Sequence, residues 1–421
     1  MNLGSFLKMP LLKNGVLFTL FSFLNSGINF FLLLLLAHYF PTDQYGKLNL
    51  FNTLLTLITP LISLSTLGYV SVSYFRLSKK DFKSVIQSYF IISSNVFIVL
   101  LVIIWVGRLY WEQYIGIDAH FLYIAVIICW AQIFTLLNLE LWRLGENPIS
   151  YGIYTVAITI CNFVITLWLV EICDGGWESR IYTLLCVTLV FAFISFIVIY
   201  KRGYCTFLIP TKLIFEKTLY FGLPLIPHQL SFWMRQGLDR FIINYFYSQA
   251  TVGVFSFAYN FANIIIILGA AFNSANSVFI YKTIANGGSD GKRILLRQTK
   301  LMACIFGVTT ALVILLAYSL CPILFPAYKS SLVYVLPLCV SAFIHCIYLL
   351  FVNYLFYFGK TKKLMYITLT FSLIHTLLSL SFTRFSVMAT AYIGMFCNLM
   401  ICVFVVYYSD KTYSIINKNG E

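Results

Sequence analysis

His228, Arg235, Asp239 and Arg240 stand within one apolar stretch, Leu219–Tyr247. A guanidinium fork suits bidentate contact with phosphate or carboxylate oxygens. A neighbouring carboxylate can orient that fork or compete for it. A bilayer-crossing helix needs roughly 20 apolar residues, and this stretch is long enough. Each charge near the bilayer centre costs roughly 2.5–3.5 kcal/mol on insertion scales. Such a span must therefore face water, a partner charge or a polar ligand inside a bundle. At about 3.6 residues per turn, His228 and Asp239 fall within roughly 40° of Arg235, with Gln236 at about 100° and Arg240 at about 140°. Leu230, Met234, Leu238, Phe241 and Tyr245 take the opposite side. This pattern predicts an Arg235–Asp239 pair one turn apart, with Arg240 lacking a local partner. Pro224 and Pro227 predict a kink at the start of the span. A structural ion pair between helices, with Arg240 snorkelling to a headgroup, is the competing reading.

The surrounding chain must be read as membrane protein. Its 421 residues are 61% hydrophobic and 10% charged, with mean hydropathy +0.89. That composition excludes a soluble domain, and β-barrel alternation is absent. The formal charge of +14 reflects where lysine and arginine fall between apolar runs, so nucleic acid is not an expected partner. The 11 cysteines lie mostly inside apolar runs without CxxC or Cys/His spacing, and no metal site is expected. The first run, 14–40, is too long for a signal peptide and is expected to remain as a span.

Twelve spans are predicted: 14–40, 48–75, 84–107, 120–142, 149–171, 180–200, 218–246, 252–281, 301–321, 331–357, 364–383 and 387–408. Lysine and arginine concentrate in alternate loops, which places both termini in the cytoplasm and Arg180 in an outside segment. A shift of 207 positions lays Val252–Gly253 on Tyr45–Gly46. The expected architecture is an all-α polytopic membrane protein, twelve transmembrane helices in two pseudo-symmetric six-helix bundles around a central cavity. The bundles are 1–200 and 218–408, joined by a cytoplasmic linker at 201–217, with a cytoplasmic tail at 409–421. Asn25, Asn29, Asn52 and Asn260 lie in polar stripes of spans 1, 2 and 8, which suit either a wet cavity or interhelical hydrogen bonds. No catalytic signature emerges. His345 and His375 lie within spans 10 and 11 and could relay protons or pack as neutral residues. Glu140 and Arg143 are expected to form a structural pair.

Gly222, Pro224 and Pro227, then Asp239–Arg240, then Val252–Gly253–Val254–Phe255–Ser256–Phe257–Ala258, form an ordered pattern. It resembles the polysaccharide-exporter branch of the multidrug/oligosaccharidyl-lipid/polysaccharide superfamily, the Wzx-type O-antigen flippases. The motifs cover 219–282, and the twelve-span plan extends the likeness over the rest. Ser248 stands where the family often has glycine, and Ser277 where proline is common. The resemblance implies transport of an undecaprenyl-pyrophosphate-linked oligosaccharide between leaflets of the bacterial inner membrane. Arg235 and Arg240 would hold phosphates or acidic sugars, and Asp239 would orient Arg235. His228 and Gln236 would share that polar face, while Asn25, Asn29, Asn52 and Asn260 would meet sugar hydroxyls. Coupling to a proton or sodium gradient, membrane lipids, a polysaccharide polymerase and a chain-length regulator follow as implied partners. No cofactor is implied. A small-molecule antiporter of the multidrug branch and a membrane-embedded polymerase or acyltransferase are the alternatives.

Overall fold

A computed structural model describes residues 10–205, 209–286 and 288–414. Residues 206–208 of the linker and the two chain ends, with Lys8 and Lys418, lie outside the described residues.

Every predicted span coincides with helix. In order these are α1 (Pro10–Tyr39), α2 (Thr42–Ile62), α3 (Leu67–Tyr74), α4 (Lys79–Ile115), α5 (Ala119–Leu144), α6 (Pro148–Glu171), α7 (Trp177–Lys201), α8 (Lys212–Gly222), α9 (Ile226–Gln236), α10 (Leu238–Phe246), α11 (Gln249–Asn286), α12 (Gly288–Leu324), α13 (Leu332–Tyr357), α14 (Thr361–Phe382) and α15 (Val387–Thr412). Among the described residues, ten helices are long and apolar enough to cross a membrane, and the α2–α3 pair, bent by 50°, makes an eleventh. The seventh predicted span is built in pieces: α8, a 3-10 turn at Leu223–Leu225, α9 and α10.

The break in span 2 has a local cause. Pro60 lies inside α2 and removes one backbone donor. The chain then turns through Leu64 (φ 44) and Ser65 (φ 54), a left-handed conformation uncommon outside glycine. Ser65 N donates to the Pro60 carbonyl at 3.2 Å, closing the helix end as a Schellman turn does, and Thr66 Oγ1 donates to Ser63 O at 2.6 Å. Gly222 lies directly against this turn. A Cβ there would sit 2.1 Å from the Leu64 carbonyl oxygen, so only glycine fits where α8 ends and the 3-10 turn at Pro224 begins.

The chain forms two compact units. The first comprises residues up to Phe40 and Lys47–Trp233, the second Pro41–Gly46 and Met234 onward. In the first unit α5 is the central helix, with Ala125, Ile128, Cys129, Ile133 and Leu137 buried. Its Tyr89 neighbour on α4 donates to the Ile133 carbonyl at 3.2 Å. Glu140 accepts from Arg143 Nε at 2.8 Å and from Ser71 Oγ, forming the structural pair expected.

In the second unit, α13 carries a long run of buried residues from Val335 to Leu355. The opening turn of α2 belongs to this unit and crosses the opening turn of α11. A Cβ on Gly46 would stand 1.9 Å from the Gln249 carbonyl oxygen, and one on Gly253 would stand 1.9 Å from the Thr42 carbonyl oxygen. The shift of 207 positions maps Thr42 onto Gln249 and Gly46 onto Gly253, so the contact is reciprocal between repeat-related residues. Small residues let helix backbones approach this closely. Beside the crossing, Tyr45, Phe257 and Tyr328 pack ring to ring, with Phe257 stacked on Tyr328 at 4.5 Å.

Candidate functional site

The polar part of span 7 is organised by a second break that the sequence pattern did not predict. Helix α9 ends at Gln236 and α10 starts at Leu238, with Gly237 at φ −110. Glycine is the weakest helix former after proline. The Arg240 backbone N–H donates to Gly237 O at 3.1 Å, while the freed Gln236 carbonyl accepts from Arg240 Nη1 at 2.7 Å. Arg240 Nε donates to Ser256 Oγ at 3.1 Å, and its guanidinium carbon lies 4.6 Å from the Tyr259 ring centroid. Arg240 is buried. The expectation that it lacks a local partner is therefore corrected: its side chain clamps the helix break to α11.

The break also undoes the predicted Arg235–Asp239 pair, because the one-turn relation assumed a continuous helix. Asp239 turns instead to α14. Its Oδ1 accepts from Ser379 Oγ at 3.0 Å, and Oδ2 lies 3.4 Å from His375 Nε2, a nitrogen buried with its ring. Arg235, half-buried, donates through Nη1 to Asn398 Oδ1 at 3.3 Å, and Asn398 Nδ2 in turn donates to Ser341 Oγ at 2.8 Å.

Arg235, Gln236 and Asp239 line one cavity with Tyr259, His345 and Asn398. Its volume is about 40 Å³, room for roughly three waters at 10–15 Å³ each. The lining residues all belong to the second unit and include the apolar Phe255, Ala262 and Leu338. Water and fixed dipoles there would let the Arg235 guanidinium remain charged inside an apolar bundle.

The other candidates are elsewhere. Asn260 is buried and donates to Tyr45 Oη at 2.6 Å, part of the aromatic cluster in the second unit. Asn25, Asn29, Asn52 and His228 belong to the first unit. Asn25 Oδ1 accepts from Thr159 Oγ1 at 3.1 Å, Asn29 Nδ2 donates to its own helix at Asn25 O, Asn52 is half-buried, and His228 is exposed on α9. Within the polar stripe of α2, Thr53, Thr56 and Thr59 donate to backbone carbonyls of their own helix, which satisfies them without a ligand.

One charged residue is more buried than its place at a span end suggested. Arg180, assigned to an outside segment, is 7% exposed in the first turn of α7. Its Nη1 donates to Asn162 Oδ1 and Thr166 Oγ1, both at 3.1 Å. The signal available in the sequence was the spacing of Thr159, Asn162 and Thr166 on α6, which places three polar groups on one face.

Helices in this number and order, with a segmented seventh span and a charged cavity inside the membrane-spanning helices, define a multi-pass membrane protein. The family described as "Polysaccharide biosynthesis protein" matches residues 11–280, well over half of the chain, and the chain belongs to that family. A second family, MatE, matches residues 224–380. The "Lsg locus putative protein 1" of Haemophilus influenzae is 23% identical over 414 residues, covering 96% of this chain and 99% of that protein. The fold is similar to an inward-facing multidrug resistance MATE family transporter of the MOP superfamily, with TM-score 0.76, 13% identity, and coverage of 93% of this chain and 96% of that one. It is also similar to a MOP superfamily transporter from Pyrococcus furiosus, described as having a binding pocket of reverse polarity that suggests a different function (TM-score 0.68, 13% identity, 95% of each chain). The resemblance read from the span 7 motifs is borne out at the level of the polysaccharide biosynthesis family.

Proposed function

We propose that the chain is a flippase moving a polyprenyl-pyrophosphate-linked oligosaccharide from the cytoplasmic to the periplasmic leaflet of the inner membrane. The observation that carries this reading is Arg235: a guanidinium opening on a cavity of mixed polar and apolar lining within membrane-spanning helices, in a chain of the polysaccharide biosynthesis family. A diphosphate carrying a glycan cannot cross hydrocarbon unaided, and a guanidinium can replace part of its hydration with charge-assisted hydrogen bonds. In this account Arg235 meets the phosphates, Gln236 and Asn398 extend the hydrogen-bonding surface, and the prenyl tail stays in lipid. Arg240 acts by holding the α9–α10 break, which fixes the direction in which Arg235 points. Halves at 1–200 and 218–408, joined at 201–217, would provide alternating access.

Deleting the gene tests the reading. Lipid-linked repeat units should accumulate facing the cytoplasm, detected by extraction and by their inaccessibility to a periplasmic glycosidase. Normal export of polymerised glycan from the deletion strain would refute it.

The Asp239–His375 pair supplies a route for gradient coupling. His375 Nε2 faces the Asp239 carboxylate at 3.4 Å, one residue before the Arg240 clamp, and histidine is a side chain suited to proton relay. His375→Gln is expected to leave the protein inserted and to abolish the dependence of transport on an imposed proton gradient. Retention of full gradient dependence in that variant would remove this route.

A small-molecule antiporter is the second reading, favoured by the MatE match and by the acidic Asp239 in the cavity. It predicts resistance to cationic drugs on overexpression, which the flippase reading does not.

A further inference from the structure

We propose that Arg180 forms an oxyanion-binding site in the first unit, taking a phosphate group through the free edge of its guanidinium. Nη1 is committed to Asn162 and Thr166. Nε is buried without an acceptor. Among the described residues no carboxylate lies within ion-pair distance of Arg180. Glu178 stands two positions earlier on the same helix, and positions two apart do not share a face. The partners present are therefore neutral oxygens, and the charge at 7% exposure has no counter-ion among the described residues.

The arrangement selects the ligand. With Nη1 occupied, the remaining donors are Nε–H and Nη2–H, the side-on fork that matches two oxygens of a phosphate or carboxylate. The field at this edge is positive from two further sources. Arg180 lies in the first turn of a 25-residue helix, whose amino end carries partial positive charge. The Lys47 ammonium lies 5.7 Å from the ring centroid of Trp177, the residue that opens the same helix. The site also continues a polar strip: Thr159, Asn162 and Thr166 share one face of α6, and Thr159 donates to Asn25 on α1. A phosphate on Arg180 would thus sit at one end of a row of hydroxyl and amide groups.

Two sources could deliver that phosphate, a lipid headgroup or the diphosphate of a glycan carrier. The experiment separates them. Purified full-length protein carrying Arg235→Gln, which removes the cavity guanidinium of the second unit, is titrated calorimetrically with inorganic phosphate, with phosphatidylglycerol and with a short-chain polyprenyl diphosphate. Saturable binding is expected for at least one probe, and adding Arg180→Gln should weaken it at least about tenfold, the loss of one charge-assisted bond. Preference for the polyprenyl diphosphate assigns the site to a carrier, and preference for phosphatidylglycerol assigns it to lipid. Asn162→Asp provides an independent arm. It places a carboxylate where Nη1 now meets an amide oxygen, keeps the region packed, and should abolish binding by supplying an internal counter-ion. Binding unchanged in both Arg180→Gln and Asn162→Asp, or no binding of any probe to the parent, would overturn the proposal. Because Arg235 is already replaced, this result does not depend on whether the cavity in the second unit carries substrate.

Discussion

Arg235→Gln is expected to abolish surface polysaccharide while the protein still inserts and accumulates. The side chain lines the cavity, where Nη1 donates to the neutral Asn398 amide oxygen at 3.3 Å, and glutamine keeps a polar side chain at that position. What disappears is the cavity guanidinium. Each charge-assisted hydrogen bond lost to a phosphate is worth about 1.5–3 kcal/mol, a factor of at least about ten, and a bidentate contact loses two. Arg235→Lys keeps the charge and loses the fork, and should retain a small fraction of export. Quantifying cell-surface glycan against immunoblotted membrane protein checks both. Export in Arg235→Gln at the wild-type level would show that the cavity guanidinium does not handle the transported anion.

Gly253→Val should fail earlier, at folding. Even a methyl group on Gly253 would stand 1.9 Å from the Thr42 carbonyl oxygen and one on Gly46 would stand 1.9 Å from the Gln249 carbonyl oxygen. Both obstacles are backbone, so neither can rotate away. Overpacking costs about 1–3 kcal/mol where neighbours can adjust, and a rigid helix crossing lies at or above the upper end. Against a total stability of roughly 5–15 kcal/mol, the variant should lose most folded protein, read as the monodisperse fraction in detergent. Gly27→Ala is the control, since a Cβ there meets nothing within 4 Å. A monodisperse Gly253→Val protein with unchanged melting temperature would contradict the crossing.

The residues that were legible from sequence alone are those whose signal is periodic. Long apolar runs placed helix at each of the twelve predicted positions, because a bilayer imposes a minimum length on any helix that crosses it. The ends of α4 and α12 extend well past the predicted limits, to Lys79–Ile115 and Gly288–Leu324, since helices continue into polar ends that an apolar window does not detect. Pro224 announced the first interruption of span 7. Gly237 did not, because a lone glycine in an apolar helix is ordinarily tolerated. Its effect appears only once Arg240 is seen on the Gln236 carbonyl, and that contact re-aims Asp239 from Arg235 toward His375 and Ser379. Arg180 was hidden for a different reason: charge counting treats an arginine near a span end as loop, whereas Asn162 and Thr166 on the preceding helix draw it inside. The repeat was faint in sequence, yet its Tyr45–Gly46 and Val252–Gly253 positions are the ones at the helix crossing.

The most direct measurement is translocation itself. Purified protein is reconstituted into liposomes with a fluorescent polyprenyl-diphosphate oligosaccharide, and the fraction reaching the far leaflet is followed by an impermeant glycosidase. Wild-type protein should expose the labelled glycan faster than protein-free vesicles, and Arg235→Gln should match the protein-free rate. Equal rates for wild-type protein and empty vesicles, under an imposed proton or sodium gradient of either direction, would contradict the account.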